Sequence, residues 1–182
     1  MDIASLLASL QGSAFAAGIR DSLLWFPLLE SAHVIGLALV FGSIAVIDLR
    51  LLGLASRERS FQRMASEILK WTWGAFALTA VTGALMFVTN ATVYFHNVPF
   101  RVKMVLLVLA GLNMLVFELT AGRTIREWDQ APSAPRIAKV VATLSLVLWI
   151  AVIFAGRIIG FTTSRAATPE AAPDINLEDL LK

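Results

Sequence analysis

The sequence predicts an all-α integral membrane protein, a four-helix up-and-down bundle with a short N-terminal surface helix. Three observations predict it. Of 182 residues, 58% are hydrophobic and only 15% charged, where soluble domains carry about 25% charged residues. Mean hydropathy is +0.76. The apolar residues gather into four long runs, and an apolar helix of about 20 residues crosses a bilayer core.

The composition also excludes function classes. A net charge of +2 is too small to suggest nucleic acid as a partner. The chain has no Cys, which excludes disulfides, thiolate metal sites and thiol catalysis. Two histidines, His33 and His96, cannot form a His-rich metal site within one chain. No Ser/His/Asp triad, Gly-rich phosphate loop or Walker sequence is visible.

Residues 1–21 are moderately apolar, with Ile3, Leu6, Leu7 and Leu10 at helical spacing. A secretory signal would begin with positive charge, and the early charge here is Asp2. The segment therefore reads as an interfacial amphipathic helix. The membrane domain spans 22–160. Its first helix covers about 23–52, with Pro27 suited to the first turn. Residues 55–70 form a solvated connector carrying Arg57, Arg59, Arg63 and Lys70 against Glu58 and Glu67. Phe61, Met64 and Ile68 in it would lie on the membrane surface.

The second helix covers about 71–93. Trp71 and Trp73 suit the interfacial aromatic belt, and Thr79, Thr82 and Gly83 form a small polar stripe that permits close helix contact. A short turn, 90–99, leads to the third helix, about 100–121, with Asn113 at its middle. Residues 122–139 read as a polar loop, and the fourth helix covers about 137–160. From Phe161 the composition turns to Ala, Pro, Thr and acids, so 161–182 reads as a polar mobile tail. Within it Ile175, Leu177, Leu180 and Leu181 suggest a terminal docking segment.

Lys and Arg are richer in the first and third connectors than at the other surface. The positive-inside rule places those connectors in the cytoplasm of a bacterial cell and both termini in the periplasm. The expected location is the inner membrane.

The first helix carries the chemistry. Glu30 and His33, three residues apart, share a face. Asp48 lies eighteen residues beyond Glu30, about five turns, and returns to it. Ionisable groups in lipid are costly and normally face a bundle interior. Up-and-down threading places Glu30, His33, Arg101, Lys103 and Arg157 in one outer layer. An imidazole beside several cations suits a flat, carboxylate-bearing ligand: heme b would give its iron to His33 and its propionates to Lys103, Arg101 or Arg157. An inner charged layer holds Asp48, Arg50 and Glu118, paired among themselves or with Arg123. Each residue also has a structural reading. His33 would simply hydrogen-bond to Glu30 or across helices, Glu30 would stabilise the first turn, and the three cations would snorkel to headgroups.

Trp25, Pro27, Glu30, His33, Gly36 and Gly42, then Asp48-Leu49-Arg50-Leu51-Leu52-Gly53, resemble an uncharacterised family of small bacterial membrane proteins. Pro99-Phe100-Arg101-Val102-Lys103 and Gly111-Leu112-Asn113 extend the likeness, which covers about 19–117. It implies a four-helix inner-membrane protein. His33, Gly36, Phe41, Gly42, Arg50 and Lys103 are more distantly similar to the bacterial membrane protoporphyrinogen oxidase and to the membrane domain of copper-resistance protein D. That similarity implies heme b held by His33 as metal ligand. Arg50 is displaced by about one residue from the oxidase pattern, and Arg101 stands where that family has His. No catalytic residue follows from the sequence.

Two readings result. One is a heme-binding or redox membrane protein whose partners are the lipid bilayer and a second copy or a membrane redox protein. The other is a non-enzymatic accessory subunit or a carrier of small ligands or ions, copper included. The five scattered Met residues form no ligand cluster for copper.

Overall fold

The computed structural model describes residues 2–55, 60–129, 131 and 133–167, with side chains to Thr163. Among them it is helical, with no strands. In chain order the helices are α1 (Ile3–Gln11), α2 (Ala14–Arg20), α3 (Trp25–Leu52), α4 (Phe61–Thr89), α5 (Ala91–His96), α6 (Val98–Leu119), α7 (Ile125–Trp128) and α8 (Arg136–Ala167). Four segments, beginning at Trp25, Phe61, Val98 and Arg136, are long and apolar enough to cross a membrane. The chain is a multi-pass membrane protein by that criterion.

Helix α3 starts where Ser22 Oγ accepts the amides of Leu24 and Trp25, at 3.3 and 3.1 Å, and it carries Pro27 in its first turn. It ends at Gly53, whose φ of 74° is left-handed backbone that favours glycine. Its 28 residues extend about 42 Å.

Helix α4 begins ten residues earlier than the sequence reading placed it. Ser60 Oγ accepts the Arg63 amide at 3.3 Å and donates to Asp129 Oδ2 at 2.6 Å, while the Phe61 amide donates to Asp129 Oδ1. Phe61, Met64 and Ala65 are buried, so the second half of the expected connector is the first part of a spanning helix. The connector's Arg57, Glu58 and Arg59 lie outside the described residues.

The expected loop at 122–139 is also partly helical. A 3-10 turn at Ala121–Thr124 and α7 tuck Trp128 under the bundle, where its indole N–H donates to Ala121 O at 3.0 Å. The turn at 90–99 is likewise α5, followed by Asn97, whose Oδ1 caps α6 at the Phe100 amide, 3.0 Å away. Helix α8 continues seven residues past 160. Beyond Ala167 the expected mobile tail, with its docking segment at Ile175, Leu177, Leu180 and Leu181, lies outside the described residues.

The N-terminal segment is two helices rather than one. Ser13 Oγ accepts the Ala16 amide at 3.2 Å and starts α2. Gln11 Oε1 accepts from Thr92, and Arg20 donates to Thr89 O at 3.2 Å, so the pair is latched to the α4–α5 turn.

Helix α3 packs along α4 on one side and α8 on the other, and α8 packs along α6. Helices α4 and α6 meet through aromatic rings at both ends: Phe87 stacks on Phe100 at 5.4 Å, and Phe61 lies 5.9 Å from Phe117. Two apolar clusters fill the interior. One holds Val40, Ala75, Ala110, Leu148, Trp149 and Val152, and the other holds Leu51, Phe61, Ala65, Ala121, Trp128 and Ala142.

Candidate functional site

The antiparallel crossing of α3 and α4 places His33 opposite Gly83, Gly36 opposite Thr79, and Ser43 opposite Thr72. The small residues let the two helices approach closely. A Cβ on Gly83 would stand 2.9 Å from His33 Cε1, so the imidazole lies directly over the glycine. His33 Nδ1 is 3.1 Å from Thr82 Oγ1.

That contact fixes the tautomer. The single Thr82 hydroxyl proton goes to a backbone carbonyl, Leu78 O at 2.7 Å. Its oxygen is therefore the acceptor, and His33 Nδ1–H the donor. The Thr79 backbone is a further hydrogen-bond partner of the ring. Nε2 keeps its lone pair, with no hydrogen-bond partner among the described residues. A neutral imidazole held at Nδ1 with Nε2 open is the arrangement of a metal-ligating histidine.

Lys103 reaches the same region from α6. It is half-buried, and its Nζ comes within 3.6 Å of where a Cβ on Gly156 of α8 would stand. Its charge acts on the His33 ring. The ammonium and the imidazole thus come from different helix pairs into one end of the bundle.

The other three residues of the expected outer layer turn away. Glu30 is exposed. Arg101 is exposed and lines a surface hollow with Val98, Val102, Val105 and Leu106. Arg157 is exposed, its guanidinium 4.8 Å over the Phe161 ring. His96 is exposed and bonds Thr92 O at 2.9 Å, outside the His33 group.

In the inner layer, Asp48 and Arg50 are buried and Glu118 is exposed. Asp48 Oδ2 is buried with no hydrogen-bond partner among the described residues. Among the described residues the ion pair is Arg20–Asp21, at 3.2 Å near the opposite end.

The model of the Family of unknown function (DUF6644) matches residues 17–162. The chain belongs to this family. No curated protein and no solved structure shows a significant match. The expectation of an uncharacterised family, drawn from the motifs in α3 and α6, agrees with that membership. The matched span takes in His33, Lys103, Asp48 and the helices that hold them.

Tyr94 is a neighbour of Glu30 in this DUF6644 protein that residue spacing alone does not single out. It sits on α5 in contact with Phe87 and Phe100. Burial raises its phenol pKa, and the Glu30 carboxylate raises it further. Glu30 thus acts on Tyr94. The folded state holds the phenol proton more tightly, so this contribution to stability is complete below the unfolded value of about 10 and is lost as pH rises through the folded one. Because the chain has one tyrosine, phenolate absorbance reports it alone. The titration midpoint is expected above about 10, and Glu30→Gln is expected to lower it. An unchanged midpoint in the variant would separate the two groups.

Proposed function

We propose that this DUF6644 protein binds a flat, carboxylate-bearing redox ligand, heme b in the first place, at the His33 end of the bundle. The observation that carries the reading is the His33 tautomer: Nδ1–H is committed to Thr82, which leaves Nε2 as the open donor. The remaining residues fit such a group. Lys103, part-buried near the ring, would meet one propionate, and Arg101 or Arg157 at the same end would reach the other by rotamer change. The donor set would offer the iron one imidazole, that of His33. When bound, heme supplies one-electron redox chemistry. The chain's part is to hold the imidazole neutral and oriented, to screen it with the α3–α4 crossing, and to offset the ligand's negative charge. The likeness to membrane protoporphyrinogen oxidase and to copper-resistance protein D belongs to this proposal. So does placement in a bacterial inner membrane with both termini outside, supported by the Lys/Arg bias of the connectors. A homo-oligomer or a membrane redox partner would complete the electron path.

The test is a visible spectrum of the full chain, purified in detergent after expression with ample heme. A Soret band is expected, lost in His33→Ala and weakened in Thr82→Val, which removes the Nδ1 acceptor. A wild-type protein without a Soret band overturns the reading and leaves the alternative of a non-enzymatic accessory subunit or a small-ligand or ion carrier.

A further inference from the structure

A polar layer crosses the bundle between its two apolar clusters, well away from His33. Ser43 of α3 and Thr72 of α4 bond hydroxyl to hydroxyl at 2.8 Å. Asn113 of α6 donates to Val141 O of α8 at 3.0 Å. Asp48 of α3 stands in this layer at 5% exposure, faced by the Ser145 hydroxyl of α8. The neighbouring polar groups are committed to one another: Ser43 Oγ donates to Val40 O at 2.9 Å, and the Asn113 amide is held by Val141. Asp48 Oδ2 is left with no hydrogen-bond partner among the described residues.

An ionised carboxylate needs several donors when it is taken out of water. Here the facing side-chain donor is one hydroxyl. Among the described residues the charged side chains of this end are Arg50 on α3 itself, Arg63, Glu67 and Lys70 on α4, Glu118 on α6, and Arg136 and Lys139 on α8, and the connector between α6 and α8 adds Arg123, Arg126, Glu127 and Asp129. Those on the neighbouring helices are exposed, except for half-buried Lys139. What acts on the Asp48 carboxyl is its burial and the Ser145 hydroxyl. A neutral acid matches this setting better, because it carries one O–H that a single hydroxyl can accept.

We propose that Asp48 is a proton-binding site, a carboxyl that rests as the neutral acid inside the bundle and exchanges its proton with the aqueous phase at its own end. The step moves one proton from a hydronium ion of that phase to one carboxylate oxygen: one O–H bond breaks in the donor, one forms on Asp48, a water is left behind, and nothing is oxidised or reduced. Asp48 is four residues from the end of α3, about 6 Å along the axis. The cluster of Leu51, Phe61 and Trp128 closes that end. Exchange therefore follows motion of this plug. The inference does not depend on any ligand at His33.

Infrared difference spectroscopy of the full chain in lipid nanodiscs, taken between neutral and strongly alkaline pH, tests it. The expected result is a protonated-carboxyl C=O band at neutral pH that is lost in Asp48→Asn. Asn keeps the neutral polar shape, so thermal stability at neutral pH is expected to match wild type. Should that variant not fold, heavy-isotope labelling of aspartate carboxyl carbons in the wild type is expected to shift the band. A neutral-pH spectrum without an Asp48 band overturns the assignment. A band that sodium chloride removes at constant pH also overturns it, in favour of a cation site.

Discussion

Phe61→Ala is expected to lower the unfolding free energy by about 3–5 kcal/mol, the largest single-residue loss in the bundle. The ring is 2% exposed and lies 5.4 Å from Trp128 and 5.9 Å from Phe117. Its neighbours come from separate elements: Leu51 from α3, Phe117 from α6, Trp128 from α7 and Ala142 from α8. Each is fixed by its own helix, so they cannot close together into the vacated space. The backbone is pinned as well, because the Phe61 amide and the Ser60 hydroxyl both donate to the Asp129 carboxylate. The residue therefore joins the start of α4 to the α6–α8 connector. Denaturant or thermal unfolding in detergent measures the effect. Phe61→Leu, which refills most of the volume, is expected to lose about 1–1.5 kcal/mol. An alanine variant within about 1 kcal/mol of wild type would show that the aromatic cluster does not hold this end.

That role for Phe61 shows where the sequence stops being readable. The spacing Phe61, Met64, Ala65, Ile68 marks one helix face, with Arg63, Glu67 and Lys70 off it, so a helix is legible there. Its partner is not. Trp128 is 67 residues away in a stretch whose Pro and charges read as loop, and nothing local says that α7 folds under the bundle. Without that partner, the apolar face of 61–70 looks like a membrane-surface face. Helix α3 is the opposite case. Pro27, a long apolar run and Gly53 mark its start, body and end within the segment itself, and its observed bounds, Trp25–Leu52, differ from the expected 23–52 by two residues.

The candidate site divides in the same way. Residue type and helix register bring His33 and Lys103 to one end of the bundle. Which of the five expected residues turn inward depends on rotation about each helix axis, and that is set by tertiary contacts. Gly83 draws the imidazole onto α4, and Gly156 gives Lys103 its place against α8. Glu30 has no such recess and stays outside.

Gly36→Leu is expected to separate α3 from α4 and to cost about 3 kcal/mol or more, at the upper end of what overpacking a close contact does. A Cβ alone at position 36 would stand 2.5 Å from Thr79 Oγ1 and 3.4 Å from Ala75 O. The hydroxyl can rotate away, but the carbonyl belongs to the α4 backbone and cannot. Leucine adds three further carbons along the same direction, so the helices must part. Ser43 and Thr72 lie on the same crossing and would lose their 2.8 Å contact. Gly83→Ala is the informative contrast. Its added carbon meets the edge of a side chain, His33 Cε1 at 2.9 Å, and no backbone atom outside its own helix is within 4 Å. The imidazole can swing out, which breaks the Nδ1–Thr82 bond while leaving the crossing intact. Thermal unfolding in detergent is therefore expected to drop sharply for Gly36→Leu and little for Gly83→Ala, whereas any signal from a ligand on His33 Nε2 is expected to vanish in Gly83→Ala. Equal thermal losses in the two variants would mean that His33 is part of the structural seam rather than a side chain held in a recess of it.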